Sequence, residues 1–507
     1  MNVSSYDLTD DQGDPGPTEP PLNKTPREAG ADGSTADQLI DLAQELYTLG
    51  TSTDGKPFAV RNGAGQAFAI KGGPGSLAGR LALDFYEKTG RSASSNARSD
   101  ALAVLEPMAL KEAPVSLDLR VGRSASGDIV IDLGDQEGNV VIARPDGWHI
   151  TTESPVLFRR TKLTGAIPHP VRGGTLDELR TLVNLTQDSW DLMQGYLVAC
   201  LIPDIPKPVG MISGQQGSGK SELTRMVAML LDPSGAPTRS GPKTEEDWIV
   251  SASASWVFAL DNVSRIPDWF SDVLCRSATG SGWVARARYT DTDVAVHQFR
   301  RSILLNTIEA GAIRGDLADR VVTFHLEPIE PTQRRTQAEL ADAFDDARPR
   351  LFGALLDLLV KILAELPNVE LDEMPRMADF SRLLAALDRT SGADAFASYL
   401  RQSEELAETV LDSDSVACAV IDLMAHSENW KGTPTELFGS LRKPNWVKDG
   451  WPSSPQSLSG RLKRLAPALA EVGITAESKP SNGRRTWRLT NSRALPTPAC
   501  YSQTNPF

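Results

Sequence analysis

The chemistry of this chain is concentrated in an octapeptide that fits the pattern G-x-x-x-x-G-K-[ST] at every fixed position. The candidate phosphate-binding residues are Gly214, Gln215, Gln216, Gly217, Ser218, Gly219, Lys220 and Ser221. The glycines let consecutive backbone N–H groups turn inward around a triphosphate. Lys220 is predicted to reach the β- and γ-phosphates, and Ser221 to supply a hydroxyl to Mg²⁺. The pattern predicts a nucleoside triphosphate site, with ATP and Mg²⁺ as the cofactors.

The segments on both sides of this loop agree with that interpretation. Residues 209–213 form a short apolar run typical of a strand, and residues 221–231 have helical spacing. A strand that leads into a glycine loop and then a helix is the context that the motif requires. A glycine-rich surface turn is the alternative, and it explains neither flank.

A second buried strand is predicted at residues 256–260, and it ends in Asp261. A carboxylate at the end of a central strand can hold Mg²⁺ beside Ser221, so these two residues are the candidate metal ligands. The next residue is Asn262, where an acid usually polarises the attacking water, and an amide cannot accept a proton at neutral pH. Slow turnover, or a nucleotide-binding switch, is therefore an open alternative to fast hydrolysis.

Residues 301–308 predict another buried strand, with Asn306 near its end. An amide at this point can hydrogen-bond the γ-phosphate or the attacking water, which is the role of a sensor residue. Asn at a strand end is often only a turn residue. The position of Asn306 one strand after Asp261 favours the sensor role.

The segment Arg314-Gly-Asp-Leu-Ala-Asp-Arg320 carries two arginines on a predicted loop. Their guanidinium groups could stabilise charge on the γ-phosphate of a neighbouring subunit, as an arginine finger does. The alternative is an Arg–Asp pair within the chain that caps a helix. We favour the finger, with Arg320 ahead of Arg314.

At 507 residues the chain is too long for one hydrophobic core. Composition and periodicity predict a disordered tail at 1–36, an N-terminal α+β accessory domain at 37–165, a P-loop ATPase core at 166–330, a helical lid at 331–410, a winged helix at 411–490 and a disordered tail at 491–507. Within the accessory domain, residues 115–121 and 129–133 alternate apolar and polar residues as strands do. Asp132 and Asp135 are predicted to be strand-edge and turn residues, with metal ligation as the alternative.

The C-terminal segment is locally basic although the whole chain is acidic. Residues 431–490 hold eleven Lys and Arg against four Asp and Glu, whereas the net charge of the chain is −14. Three predicted helices and a β-hairpin make a winged helix, which would touch DNA with its third helix and its wing. The candidate DNA contacts there are Arg461, Lys463, Arg464, Arg484 and Arg485. A winged helix that makes only protein contacts is the alternative.

Composition also limits the compartment. The four cysteines are far apart and never form a C-x-x-C pair, so a reducing cytoplasm is expected. The N-terminus lacks a basic and apolar leader, and the sequence has no run of 18 apolar residues. Secretion and membrane insertion are therefore not expected.

Several of these segments together resemble the ATP-binding proteins of bacterial phages and integrative elements, which are similar to superfamily 3 and poxvirus-type primase-helicases of the AAA+ class. The resemblance rests on segments 214–221, 260–264, 271–276, 286–291, 305–308 and 316–320. It implies an α/β fold, in which a P-loop AAA+ core carries a helical lid, an N-terminal α+β domain and a C-terminal winged helix. It also implies a homo-oligomeric ring, for example a hexamer, with ATP between subunits.

The same resemblance implies a pore hairpin on DNA, for which Arg286 and Arg288 match, and it makes the Leu-Asp-Asn triplet at 260–262 a feature of the group. No primase signature is seen. Our first hypothesis is an ATP-dependent DNA helicase-like motor or helicase loader that replicates a phage or mobile element in a bacterial or phage-infected cell, with other replication proteins as further partners. The second is an ATP-gated DNA-binding switch with little or no hydrolysis. A small-molecule P-loop kinase is disfavoured, because it needs neither a paired-arginine loop nor a winged helix.

Overall fold

The computed structural model describes residues 33–73, 75–264, 266–280, 282–286, 294–307, 315–425, 427–445, 447, 451–481 and 484–492. Within these ranges, the side chains of residues 284–286, 294–298, 315, 410, 413, 471, 481 and 484 are not described. Most of the two predicted disordered tails lies outside the described residues. The first helix begins at Thr35 and the last strand ends at Asn491, so the folded chain extends slightly beyond the predicted limits of 37 and 490.

The elements follow one another in three stretches of chain. Up to residue 160 they are α1 (Thr35–Leu46), β1 (Tyr47–Ser52), β2 (Pro57–Arg61), β3 (Gln66–Ala69), α2 (Leu77–Thr89), α3 (Ser95–Ala109), β4 (Pro114–Val115), β5 (Val121–Arg123), β6 (Ile129–Asp132), β7 (Val140–Arg144), β8 (Gly147–Thr151) and β9 (Phe158–Arg159). From there to residue 330 they are α4 (Asp177–Arg180), α5 (Gln187–Cys200), β10 (Val209–Gly214), α6 (Lys220–Leu231), β11 (Thr238–Arg239), α7 (Glu245–Ala252), β12 (Val257–Leu260), α8 (Asp268–Thr279), β13 (Gly282–Arg286), β14 (Val294–Gln298), β15 (Ser302–Asn306), α9 (Gly315–Ala318) and β16 (Val321–Leu326). The rest are α10 (Gln337–Glu365), α11 (Ala378–Ser391), α12 (Ala395–Ser413), α13 (Ser415–Ala425), β17 (Asn429–Gly432), α14 (Pro434–Ser440), α15 (Pro455–Glu471), β18 (Ile474–Ser481) and β19 (Arg484–Asn491).

A sheet of five parallel strands, in the order β11, β12, β15, β10, β16, forms the centre of the chain. The strands β12 and β15 are buried along their whole length. This agrees with their unbroken apolar sequences, because a parallel sheet is covered on both faces. The edge strand β16 is protected by Gln402, whose side chain accepts from Thr323 N at 2.6 Å and donates to Thr323 O at 2.7 Å.

Two hydrophobic cores cover the two faces of this sheet. One core combines side chains of α5, α6, α10 and α11 with side chains of β6 and β7. The other combines the opposite face of the sheet with α7, α8, the second half of α12 and the C-terminal elements. The helix α12 extends from the first core, which contains Tyr399, to the second, which contains Leu411. The predicted lid helices therefore form a structural layer as well as a cover.

The buried side chains of the predicted accessory domain belong to several hydrophobic clusters, of which two are the largest. Helices α1 to α3 pack on the sheet β4-β1-β2-β3-β9 in a core of their own. The antiparallel sheet β5-β6-β7-β8 packs instead into the core that contains α10. The strand expected over 115–121 is also wrong, because only its two ends belong to β4 and β5. In between, the backbone of Asp118 hydrogen-bonds Leu157 and Arg159.

A buried ion pair connects Arg120, which precedes β5 of the four-stranded sheet, with Asp232, which follows α6 beside the parallel sheet. Arg120 Nε lies 2.9 Å from Asp232 Oδ1, and the two side chains are 1% and 8% exposed. The other oxygen of Asp232 accepts hydrogen bonds from the backbone N–H groups of Trp256 and Val257, at 2.8 and 3.1 Å. Since breaking a buried pair leaves an uncompensated charge, this contact fixes how β12 is placed.

Candidate functional site

The glycine loop has a backbone that only glycines adopt without strain. Gly217 and Gly219 have φ angles of +83° and +88°, in the left-handed region that a Cβ disfavours. A Cβ on Gly214 would lie 2.8 Å from the carbonyl oxygen of Leu326. The loop passes directly into α6, whose first N–H groups have no partner within the helix. This backbone fits a phosphate group.

Two polar side chains of the loop, those of Lys220 and Ser218, are placed by its backbone. Lys220 Nζ donates to the carbonyl oxygens of Gly214 and Gln215 at 2.6 and 2.8 Å, so its charge is held over the loop. The Ser218 hydroxyl is buried and has no hydrogen-bond partner among the described residues. Buried polar atoms are rarely left without a partner, and an anion in the loop would provide one.

Three polar side chains from separate elements meet beside the loop. Ser221 Oγ, at the start of α6, donates to Asp261 Oδ1 at 2.9 Å. The amide Nδ2 of Asn306, at the end of β15, also donates to Asp261 Oδ1. The strand β15 lies between β10 and β12, so the carboxyl ends of three parallel strands bring these groups together. All three were candidates from the sequence.

Asn262 has a backbone conformation that is unusual for a residue other than glycine. Its φ of +57° is the only positive value for a residue other than glycine in the described part of the chain. Its backbone N–H donates to Asn306 Oδ1 at 2.6 Å, and its side chain is exposed. The contact links the ends of β12 and β15 through the Asn306 amide.

The sequence analysis missed one member of this network. Thr224 Oγ1 accepts from Asn306 Nδ2 at 3.2 Å and donates to the Lys220 carbonyl at 2.8 Å. Thr224 follows Ser221 by three residues, so helical periodicity places both on one face of α6. That spacing was the available signal.

Arg320 lies at the opposite end of the sheet from its own glycine loop. It directly precedes Val321, which is paired with Val209 at the start of β10, whereas the loop begins at Gly214. Five strand steps separate these ends by about 16 Å. Arg320 donates to the carbonyl oxygen of Asp316, the second residue of α9, and its Nη1 lies 3.7 Å from Cys275 Sγ. Burial raises the pKa of Cys275 to about 11, so the thiol is neutral beside this guanidinium.

Two arginines of the predicted lid segment, Arg376 and Arg382, have partners within the chain. Arg314 lies outside the described residues. Arg376 Nη1 lies 2.9 Å from Asp319 Oδ2, and Arg382 Nη2 donates to the Leu366 carbonyl at 2.9 Å. Both lid arginines are thus held by partners within the chain.

The C-terminal elements form a small unit of three helices and three antiparallel strands. The strand order is β17-β19-β18, and β17 was not predicted. On α15, Lys463 and Arg464 are exposed, whereas Arg461 Nε lies 2.8 Å from Asp414 Oδ2. Arg485 is exposed on β19, and the side chain of Arg484 is not described. Lys463 and Arg464 are thus solvated, whereas Arg461 links α15 to the residue that precedes α13.

The strands β13 and β14 form a two-stranded ribbon that lies between β12 and β15 in the sequence. Its strands are antiparallel, with Arg286 opposite Val294. The side chain of Arg286 and the whole of Arg288 lie outside what the structure describes.

Asp132 and Asp135, for which metal ligation was the alternative, have partners within the protein. Asp132 forms an ion pair with Arg160, and Asp135 accepts from the N–H groups of Gly138 and Asn139. Across the described ranges, His, Cys, Asp and Glu side chains nowhere gather in threes that could hold a metal. No helix among the described elements is both long and apolar enough to cross a bilayer.

Two consecutive segments of the chain match models of one protein family. The family model of the actinomycete integrative conjugative element replication protein, AICE RepA, matches residues 176–409. The model of the AICE RepA C-terminal domain matches residues 416–502. Together they take in more than half of the chain. The search of curated proteins finds no match.

Among solved structures, the chain is similar to the apo C-terminal region of NrS-1. One such structure is 11% identical in sequence to this chain and superposes on it with a TM-score of 0.38. The match covers 91% of this chain and 100% of the NrS-1 chain. The A form of the same region gives 11% identity and a TM-score of 0.38, with 90% and 99% covered. We draw no conclusion about fold or function from a likeness at this score.

Proposed function

Because the chain belongs to the actinomycete integrative conjugative element replication proteins, we propose that it is an AAA+ ATPase that acts as a helicase-like motor or helicase loader on a mobile element. The observation that carries this proposal is the meeting of Ser221, Asp261 and Asn306 beside the glycine loop. A hydroxyl, a carboxylate and an amide at one end of a sheet are the groups that a nucleoside triphosphate and its metal need.

Each residue has a role that its position supports. Lys220 exchanges its carbonyl contacts for phosphate oxygens, and the backbone from Gly214 to Gly219 surrounds them. Ser221 and Asp261 are the residues that would hold Mg²⁺, which when bound neutralises charge on the phosphates. Asn306 stays attached to Asp261 and orients the attacking water. The sheet and α6 fix all four positions.

The location of Arg320 supports an assembly of several subunits. A guanidinium about 16 Å along the sheet from its own loop cannot complete that loop, but it can complete the site of a neighbour. We propose a homo-oligomeric ring with ATP between subunits, in which Arg320 stabilises charge on the neighbour's γ-phosphate. Arg314 is the second candidate for this role.

We propose that the C-terminal unit is a winged helix that binds DNA through Lys463, Arg464 and the β18-β19 hairpin. Its third helix, α15, packs on α9, which directly precedes Arg320, and on α12. DNA bound by α15 would therefore act on the element that positions Arg320. This contact supports an ATPase that DNA stimulates.

A switch with little or no hydrolysis is the second candidate, and Asn262 favours it. The residue after Asp261 is an amide with an exposed side chain, so a carboxylate base is missing from that position. In this case nucleotide binding would change the Asp261–Asn306 contact and the affinity for DNA, without turnover.

The test is phosphate release with and without single- and double-stranded DNA. We expect release that rises with DNA and is lost in Lys220→Ala and in Arg320→Ala. Arg334→Gln, an exposed arginine between β16 and α10, is the matched control and should behave as wild type. If wild type released no more phosphate than Lys220→Ala while it still bound ATP, the motor would be excluded and the switch would replace it.

We assign this activity to the cytoplasm of a bacterial or phage-infected cell, where other replication proteins are its further partners. Cys200 and Cys275 are buried thiols outside any disulfide, which supports a reducing compartment.

A further inference from the structure

A cavity of about 520 Å³ lies at the amino ends of β12 and β15, far from the glycine loop. One wall comes from the N-terminal sheet and carries Lys56 and Arg159. The other carries Trp256, Phe299, Arg300 and Arg301, which directly precede the two strands. Four cationic side chains therefore line one open cavity at the junction of two units.

The three arginines of this cavity form no close ion pair among the described residues. None of them lies within 4 Å of a carboxylate oxygen there, and they donate hydrogen bonds to backbone carbonyls such as those of Ser253, Thr279 and Ala252. The Nε atoms of Arg159 and Arg300 are buried and have no partner among the described residues.

Arg301 is the most deeply placed of the three. Its side chain is 8% exposed, and burial lowers its pKa to about 9, with the Arg159 guanidinium adding to that effect. It is still charged at neutral pH. Asp232 and Asp118 offset part of this charge. The lining still holds four cations against two carboxylates, and a buried excess of one charge favours binding of the opposite one.

The carboxylates that line the cavity offset only part of this charge. Asp54 lies 2.6 Å from Lys56 Nζ. Burial raises the pKa of Asp118 to about 6, although the charge of Arg301 opposes the rise, so Asp118 is largely ionised at neutral pH. Four cations therefore face two carboxylates, which leaves an excess of positive charge.

We propose that this cavity is a second anion site, which binds a phosphate-bearing molecule of mononucleotide size. Planar guanidinium groups match phosphate oxygens in pairs, and a volume of about 520 Å³ is within the range of small-ligand pockets. Hydroxyls of Ser52, Ser116 and Ser253 on the lining can hydrogen-bond a sugar or a phosphate. The site is separate from the glycine loop, because Arg301 and Asn306 lie at opposite ends of β15.

The occupant would also join two units of the chain. Arg159 belongs to β9 of the N-terminal sheet, and Arg300 precedes β15 of the parallel sheet. A phosphate held by both would stabilise the contact between the sheets. This predicts a gain in thermal stability on binding.

The experiment measures binding of inorganic pyrophosphate and ADP by calorimetry to the full chain that carries Lys220→Ala, in which the glycine loop is impaired. We expect this protein to keep one binding site. Adding Arg159→Gln and Arg300→Gln should weaken that binding at least about tenfold, as the loss of charged hydrogen bonds requires. Adding Arg334→Gln instead should leave it unchanged. Circular dichroism and thermal unfolding of each variant establish that it is folded.

Either of two results would overturn the proposal. One is no residual binding in Lys220→Ala, and the other is equal binding with and without the two arginine changes. If a 5′-phosphorylated trinucleotide displaced pyrophosphate while ADP did not, the occupant would be a DNA end and the mononucleotide would be excluded. None of these results depends on phosphate release, so the ATPase proposal is tested separately.

Discussion

Ser221 and Asp261 are joined by a hydrogen bond of 2.9 Å, although 40 residues separate them in the chain. Asn306 adds a second donor to the same carboxylate oxygen. The oxygen that would face Mg²⁺ is thus already oriented by α6 and by β15. A preorganised carboxylate needs no rearrangement when the nucleotide arrives.

Removing the amide of Asn306 should affect both stability and turnover. Asn306→Ala removes one of the two donors to Asp261 Oδ1 and leaves the Asn262 N–H without its partner, so we expect the free energy of unfolding to fall by about 1–3 kcal/mol. Asn306→Asp sets a second carboxylate against Asp261 and should lower phosphate release further. Urea unfolding and phosphate release measure the two effects, with the exposed Asn368→Ala as control. Wild-type release in Asn306→Ala would contradict a sensor role.

The left-handed backbone of Asn262 permits a test of its side chain. Asn262→Gly suits φ +57° and should keep the fold, whereas Asn262→Val should cost about 1–2 kcal/mol of stability. We expect Asn262→Gly to lose phosphate release and Asn262→Asp, which adds a proton acceptor, to raise it. Equal release from wild type and Asn262→Gly would show that the amide does not orient the water.

The opposite placement of Arg320 and Lys220 predicts complementation between subunits. We expect Arg320→Ala and Lys220→Ala each to be inactive alone. In a mixed assembly, some interfaces combine the intact glycine loop of one variant with the intact Arg320 of the other. Phosphate release should therefore reappear when the two variants are assembled together. If the mixture released no more phosphate than either variant alone, Arg320 would not act in the neighbour's site. A mixture of Lys220→Ala with wild type serves as the reference.

The basic residues of α15 should separate into two classes. Lys463→Gln and Arg464→Gln remove exposed charges, so each should reduce the salt slope of DNA binding by about 1 without loss of stability. Arg461→Gln breaks the 2.8 Å pair with Asp414 and should lower stability with little change in the slope. Fluorescence anisotropy against salt, together with thermal unfolding, distinguishes the classes. An unchanged slope in the first two variants would favour a unit that binds protein.

Lys207 should make stability depend on pH in the alkaline range. Its side chain is 1% exposed, and burial lowers its pKa to about 7 from the ordinary lysine value of 10.5. Between these values the unfolded chain binds a proton that the native chain does not, so stability rises with pH from about 7 to 10.5. Lys207→Met should stabilise the protein by roughly 1–3 kcal/mol at pH 7, and the gain should shrink toward pH 10. Urea unfolding at both pH values measures it, with the exposed Lys361→Met as control, and a gain independent of pH would contradict the burial argument.

Local sequence determined the glycine loop, the strands that end in Asp261 and Asn306, and most helices after residue 330. These features follow from glycine conformation and from hydrophobic periodicity, which act over a few residues. Asp261 and Asn306 could be ranked as candidates because polar residues that end buried strands are conspicuous.

Only the tertiary structure decided which of these groups touch. The order β12, β15, β10 brings Asn306 to Asp261, and the same order sends Arg320 to the far end of the sheet. Sequence could not assign residues 37–165 to separate hydrophobic cores or collect Arg159, Arg300 and Arg301 around one cavity. Such contacts join residues 40 or more positions apart, and they depend on how whole sheets and helices pack.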